Sequence, residues 1–502
     1  MNAFGLVSRK WLVTPFVLLA CSGAPTPQAS TAKPLAKAPS ASAAAADPEP
    51  FRAKQPAAGK PGAFEFPTPE LATLPNGLSV YVVQRPTRVA AVTLWVRHGA
   101  ASVPKGKSGL AGLTARMLTE GTRKKSSSAL AEAVESLGAT LSADASRDSS
   151  NLALTCLPPD LAKALGLLAE VVTEPAFSEN EFTRVRAEWL DGIRAERQDP
   201  QRLSTLVALE TLLGAPHGAA VDGSVPDVEK LAVKDLREFH VRAYTPDNAA
   251  VVIVGPFEKT AVSALVNEAF AKFRGKNGVI APAAPEPQAP NKLRLLLVNR
   301  PGAVQSAIAA LQPAPKRSDP GFEARQVMAR ALGGLFTSRL NLNLREEHAY
   351  TYGAFAQSIA TRYWGALLVA TSVRTDVTAE AIDEIVRELS RAQNPSLGKP
   401  FAPDEQGRAT ADLIFNLGAA IEHPNRIAEQ TSKLFVEQLP LDYNARYPVT
   451  LKQLPLSAVV DAAAALTPQR QLVVIVGDRE KIEPALKQHG YAAELADSVA
   501  TQ

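Results

Sequence analysis

The side chains able to bind a metal or move a proton are sparse in this chain and badly spaced for working together. The six histidines are His98, His217, His240, His348, His423 and His489, and no two stand three to five residues apart. A zinc ion needs three or four nitrogen, sulfur or oxygen ligands, normally with two of them close in sequence. The two cysteines, Cys21 and Cys156, are too few for a disulfide framework. The polar run Leu344-Arg345-Glu346-Glu347-His348-Ala349-Tyr350-Thr351-Tyr352 stands out instead. Its guanidinium and phenols are hydrogen-bond donors.

A second informative stretch is Gly109-Leu110-Ala111-Gly112-Leu113-Thr114-Ala115-Arg116-Met117-Leu118, closed by Thr119-Glu120-Gly121-Thr122. Read as a helix, Leu110, Leu113, Thr114, Met117 and Leu118 form a core-facing stripe. Gly112, Ala115, Arg116 and Thr119 fall on the opposite face, because residues three and four apart stack on a helix. This run resembles the zinc helix of the pitrilysin/insulinase-type metallopeptidases, Gly-Leu-Ala-His-x-x-Glu-His-Met-Leu-x-x-Gly-Thr. In that pattern two histidines bind zinc and the glutamate is the general base. Here Gly112 and Arg116 stand at the histidine positions and Ala115 at the glutamate. The family's third ligand is a glutamate on a later helix. Gly192, before Ile193-Arg194 and Asp199-Pro200, holds its place, with Glu188 one turn away. The resemblance implies a chain that binds no metal of its own, with Gly112, Ala115, Arg116 and Gly192 as degenerate positions.

The stretch Ser338-Arg339-Leu340 through Leu344-Arg345-Glu346 to Tyr352 resembles the same family's second-domain motif. There an arginine and a tyrosine seven residues later reach across the cleft to hydrogen-bond the substrate. That implies a substrate-binding role for Arg345 and Tyr352, with no catalytic residue in this chain. Read alone, the pair fits better a surface arginine paired to Glu346 or Glu347 and a tyrosine packed in a sheet; the match of the whole stretch reverses that preference.

The scaffold around these runs reads as a duplication. Leu113–Leu118 matches Val327–Leu332 at an offset of 214, Phe177–Leu190 matches Phe401–Ile414 at 224, and Val251–Gly255 matches Val473–Gly477 at 222. Three ordered matches at a nearly constant offset argue for two copies of one α/β unit. Leu78–Val83, Ala91–Val96 and Asn151–Leu157 read as strands, with Cys156 a buried thiol. Residues 128–137 and 158–172 read as helices, and Ser178-x-x-Glu181 as a capping box. Gly333-Gly334 reads as a helix C-cap, and His217-Gly218 as a solvated loop. Phe239-x4-Tyr244-Thr245-Pro246-Asp247-Asn248 resembles the run that closes the family's first domain.

The expected fold is therefore α+β. Two homologous domains, each a mostly antiparallel sheet packed with helices, form a clamp around a central cavity. The expected limits are 1–20 signal peptide, 21–67 Ala/Pro-rich disordered tether, 68–278 first domain, 279–291 linker, 292–490 second domain and 491–502 tail. Arg9-Lys10, the apolar run to Ala20 and then Leu18-Leu19-Ala20-Cys21 resemble a bacterial lipobox, which implies lipidation of Cys21 and, with Ser22 following, the outer membrane. The 502 residues carry a net charge of +4. Without Arg9 and Lys10 it falls to +2, which is no footprint for nucleic acid. The partners implied are a zinc-bearing homologous subunit, an extended peptide substrate and, through the lipid, a membrane. The alternative is an envelope scaffold, since zinc-less relatives in the respiratory bc1 complex are largely structural.

Overall fold

The computed structural model describes residues 64–278 and 284–496; Cys21, the signal segment, most of the tether and part of the linker lie outside them. The first half begins with β1 (Glu70–Thr73), β2 (Ser79–Gln84), β3 (Ala90–Val96), α1 (Leu110–Leu118), α2 (Ser127–Glu135), β4 (Thr140–Ala145) and β5 (Ser150–Cys156). It continues with α3 (Leu161–Thr173), α4 (Glu179–Glu196), α5 (Pro200–Leu213), α6 (Val225–Val228), α7 (Val233–Ala243), β6 (Ala249–Gly255) and α8 (Lys259–Ala269). The second half begins with β7 (Arg294–Asn299), β8 (Gln305–Ala314), α9 (Phe322–Ala329), α10 (Arg339–Asn341), β9 (Thr351–Ala360), β10 (Gly365–Arg374) and α11 (Thr378–Gln393). It closes with α12 (Pro403–Ala420), α13 (Pro424–Val436), α14 (Tyr443–Gln453), α15 (Leu456–Ala464), β11 (Leu472–Gly477), α16 (Arg479–Gln488) and β12 (Ala493–Leu495).

The duplication is written into the sheets. The first has the order β1-β2-β6-β3-β5-β4, the second β12-β7-β11-β8-β10-β9. The matched strands β6 and β11 occupy the same place: each runs parallel to one neighbour (β2, β7) and antiparallel to the other (β3, β8). Both are continuous apolar runs with every residue buried, which marks strands covered on two faces. By contrast β5 alternates buried and half-buried residues along its length, as a strand with one core face must. The copies differ at one edge. β1 pairs antiparallel with β2, whereas β12 joins β7 in parallel. β12 (Ala493–Leu495) lies within 491–502, so the described start of that stretch pairs with the second sheet. Phe66, inside the expected tether, is likewise buried.

The two halves exchange helices. One face of the first sheet meets α1, α3, α7 and α8 in the larger core. The other face is covered by α13 from the second half, which packs on β3 and β6. There the Phe435 ring meets Tyr81 edge-on at 6.4 Å, and the Arg97 guanidinium lies 4.0 Å from the Phe435 centroid. In return α5, from the first half, packs on β8 and β11. Its Leu203, Val207, Leu209, Leu212 and Leu213 belong to the core beneath the second sheet. Polar contacts close the seam: Arg362 Nη1 donates to Arg97 O at 3.0 Å, and Asp148 Oδ2 accepts from the Arg362 amide at 2.9 Å. Burial pushes the Asp148 carboxyl above its ordinary range, against the pull of that amide and of Arg362.

Local chemistry departs from expectation in three places. Ser178 precedes α4, but its side chain caps nothing, and Glu181 bonds Arg184 instead. Gly333 is not a left-handed C-cap; it allows close approach, since a Cβ there would lie 2.3 Å from the Ala356 amide nitrogen. His217 is buried and not solvated, its ring 5.4 Å from that of Tyr363. Cys156 is a buried free thiol whose pKa burial pushes up to about 11.

Candidate functional site

Two clusters carry the sequence-derived site residues, one in each half. In the first half, α1 is buried along almost its whole length, including Gly112 and Ala115. The face opposite the Leu113 stripe is covered by α4 at Gly112. Phe182, Val185 and Ile193 bury α4 against the core, and this sets Trp189 over Gly112. A Cβ at Gly112 would sit 2.7 Å from Trp189 Cζ2, and the indole is pinned because Nε1 donates to Asp222 O at 2.8 Å. Gly192, one turn on, is exposed with nothing within 4 Å of where its Cβ would be. Glu188 is turned to solvent and paired with Arg184 at 2.9 Å.

Arg116 ends α1, where a cation complements the helix dipole. Its Nη1 donates to Thr119 Oγ1 at 2.8 Å and pairs with Glu120. The Glu120 carboxylate is 5% exposed and also accepts from Arg184 Nη2 at 2.5 Å and from Ser127 Oγ at 3.0 Å. Arg184 is held well above the ordinary guanidinium range, first by its hydrogen bond to Glu181, then by Glu188 and Glu120. One buried carboxylate thus joins the end of α1 to α4. The residues present do not fit a zinc ion: Gly112 and Ala115 have no donor atom, Arg116 is a cation, and an indole fills the space above Gly112. Neither Trp189 nor Glu120 was singled out from sequence. The available signals were the i,i+4 spacing of Arg116 and Glu120 and the one-turn spacing of Trp189 and Gly192.

In the second half, the Arg345/Tyr352 stretch starts from a buried anchor. Arg339 is 1% exposed and bonds Glu405 with Nε at 2.8 Å and Nη2 at 2.7 Å. It also donates to Lys399 O and Pro400 O, both at 2.6 Å. Burial would raise the Glu405 carboxyl, but Arg339 and the Ala402 amide outweigh it and hold it below its ordinary range. Next, Asn341 acts as a bracket. Its Nδ2 donates to Leu335 O (2.9 Å) and Ala354 O (2.8 Å), and its Oδ1 accepts from the Ala354 amide (2.9 Å). The loop before α10 is thereby fixed to β9. A π-helical turn, Leu342–Glu347, follows and carries Arg345; such turns recur at functional sites.

The Arg345 guanidinium lies 3.3 Å from the Phe336 ring centroid, and its Nε donates to Glu346 at 2.8 Å. Tyr352, second residue of β9, is 94% exposed. Its hydroxyl makes no hydrogen bond among the described residues. The structure therefore pairs Arg345 with Glu346 and leaves Tyr352 standing free of the sheet. Phe336, itself 71% exposed, and Asn341 are the parts that sequence reading missed. Beside the local Ser338 Oγ at 3.1 Å, the partners of Asn341 are a loop carbonyl and a strand, which the sequence does not place next to it.

Two duplicated α+β domains, one with a degenerate metal helix and one with an ordered Arg/Tyr loop, define a peptidase-type scaffold. The comparisons agree. Residues 79–215 match the family model described as insulinase (peptidase family M16), and residues 230–397 match the peptidase M16 inactive domain. An uncharacterized zinc protease of Mycobacterium tuberculosis is 28% identical over 64% of this chain and 75% of its own length. A protease from Helicobacter pylori superposes with a TM-score of 0.75 at 21% identity, covering 82% of this chain and 99% of that one. The peptidase M16 inactive domain from Pseudomonas fluorescens gives a TM-score of 0.74 at 23% identity, with coverage of 82% and 98%. The chain belongs to the M16 peptidase family, and its metal-helix positions carry no ligands.

Proposed function

We propose that this chain is the non-catalytic subunit of a heterodimeric M16 peptidase. It binds and orients an extended peptide and presents Arg345 and Tyr352 to the zinc site of a homologous partner. The observation carrying this reading is the contrast between the clusters: Gly112, Ala115 and Arg116 can hold no metal, whereas Tyr352 stands exposed on a strand fixed by Asn341. A guanidinium and a phenol in ordered positions can donate to the peptide carbonyl as negative charge develops on its oxygen. The partner's zinc would polarise that carbonyl and lower the pKa of a bound water. Arg345 must leave Glu346 or share it, a modest cost because Glu346 itself is exposed.

The lipobox-like Cys21 supports a lipid-anchored location on the periplasmic side of the envelope, at the outer membrane. Co-expression with a zinc-bearing M16 homologue from the same genome tests the assignment. The pair should copurify and cleave extended peptides, while either chain alone should be inactive. Full activity of the zinc-bearing chain by itself would remove the catalytic contribution and leave the scaffold reading. Zinc and activity in this chain alone would end both.

A further inference from the structure

The degenerate metal helix has been rebuilt. Simple loss of two histidines and a glutamate from a buried helix would leave a cavity and an unpaired guanidinium, each destabilising. Neither is present. Trp189 occupies the space above Gly112 so tightly that the position admits no Cβ without moving the indole. Asp222 O holds that indole in place. The charge of Arg116 is met by Glu120, and the same carboxylate reaches Arg184 on α4. In a zinc-bearing relative the metal would tie α1 to α4; here two contacts join the same helices with no metal.

We propose that the Arg116–Glu120–Arg184 bridge and the Trp189–Gly112 contact form a metal-independent lock between α1 and α4. The lock takes over the structural task of the ion and closes the space the ion would need. The glycine at 112 is then a requirement of the lock and not a neutral loss.

Gly112→Ala tests this by its sign. In a helix interior this change normally stabilises, because glycine is the poorer helix former. With Trp189 in place it should instead lower the melting temperature. In a Trp189→Ala background it should raise it. A rise with Trp189 in place would overturn the proposal. Glu120→Gln should lower the melting temperature by about 3 °C or more, and no change would remove the ionic half of the lock. Excess chelator should leave the wild-type melt unmoved; a fall on chelation would show a metal holding the helices and overturn the proposal. The combined change Gly112→His, Ala115→Glu, Arg116→His and Gly192→Glu, with Trp189 retained, should take up no cobalt. One full equivalent, seen by its visible absorption in the folded variant, would show that the space is open.

Discussion

Replacing Tyr352 by phenylalanine, alone and together with Arg345→Ala, separates what these residues do for the fold from what they do for a substrate. Tyr352 is 94% exposed and its hydroxyl has no hydrogen bond among the described residues, so its removal touches no internal contact. Its stability cost should stay within about 0.5 kcal/mol. Arg345 loses a pair with the exposed Glu346, worth about 0.2–1 kcal/mol. It also loses a stack on Phe336, worth about 0.5–2 kcal/mol for a guanidinium that is 16% exposed. The double variant should therefore melt within a few degrees of wild type.

In the reconstituted heterodimer the loss of one oxyanion donor costs about 10²–10³ in kcat, equivalent to about 2.7–4 kcal/mol. The expected result is a large fall in kcat/KM for each single variant, with melting temperature and partner copurification nearly unchanged. Two results would refute the reasoning. One is full activity in both single variants. The other is an activity loss that only tracks a large loss of stability, which would make the pair a structural feature. Phe336→Ala refines the assignment. It frees the guanidinium without removing it, so it should be intermediate between wild type and Arg345→Ala and should be rescued by Phe336→Trp.

Arg339→Met removes one partner of a buried pair and should cost about 3–5 kcal/mol, measured by urea unfolding at pH 7. Glu405 has a folded pKa below its unfolded value, so its stabilising contribution is present above the ordinary carboxylate range and is lost as pH falls through the folded value. The wild type should thus lose stability below about pH 4.5, and Arg339→Met should lose less over that window. A specific protease site placed between residues 279 and 285 should cut the linker without separating the halves on native gel filtration, because α5 lies in the second half's core and α13 packs on the first sheet. Elution as two fragments would refute the exchange. Phe435→Ala, about 3–5 kcal/mol by the usual cost of an emptied aromatic site, should lower one shared unfolding transition and not split it.

The duplication was legible because β6 and β11 repeat a fully apolar run, and because three matches keep one offset. Strand and helix positions followed from periodicity: β5 alternates, and α3 shows its Leu161–Leu165–Leu168 stripe. The helix exchange was not legible. Leu203, Val207, Leu209 and Leu212 declare α5 buried but cannot say under which sheet, since burial has no address in the sequence. The same limit applies to Gly112: helical spacing puts it opposite the Leu113 stripe but cannot say that Trp189 arrives over it from another helix. Capping at Ser178 failed for a different reason: Glu181 found a stronger partner in Arg184 than a backbone amide.

The two clusters differ in what the fold asks of them, and this difference bears on function more than either cluster alone. At the degenerate helix the buried polar group is turned inward: Glu120 answers two guanidinia, and Trp189 fills the space above Gly112 and bonds Asp222. At the other cluster the satisfied groups are the supports. Arg339 and Asn341 use their donors on backbone and Glu405, and the residues they position, Phe336 and Tyr352, are left in solvent. Two large aromatic side chains held in water by an ordered bracket add little to stability, since the apolar surface they could bury stays wet. A rigid support beneath side chains that the fold does not need is the arrangement expected of a surface that completes itself on another molecule. The role we propose for this chain in binding a substrate rests on that second cluster.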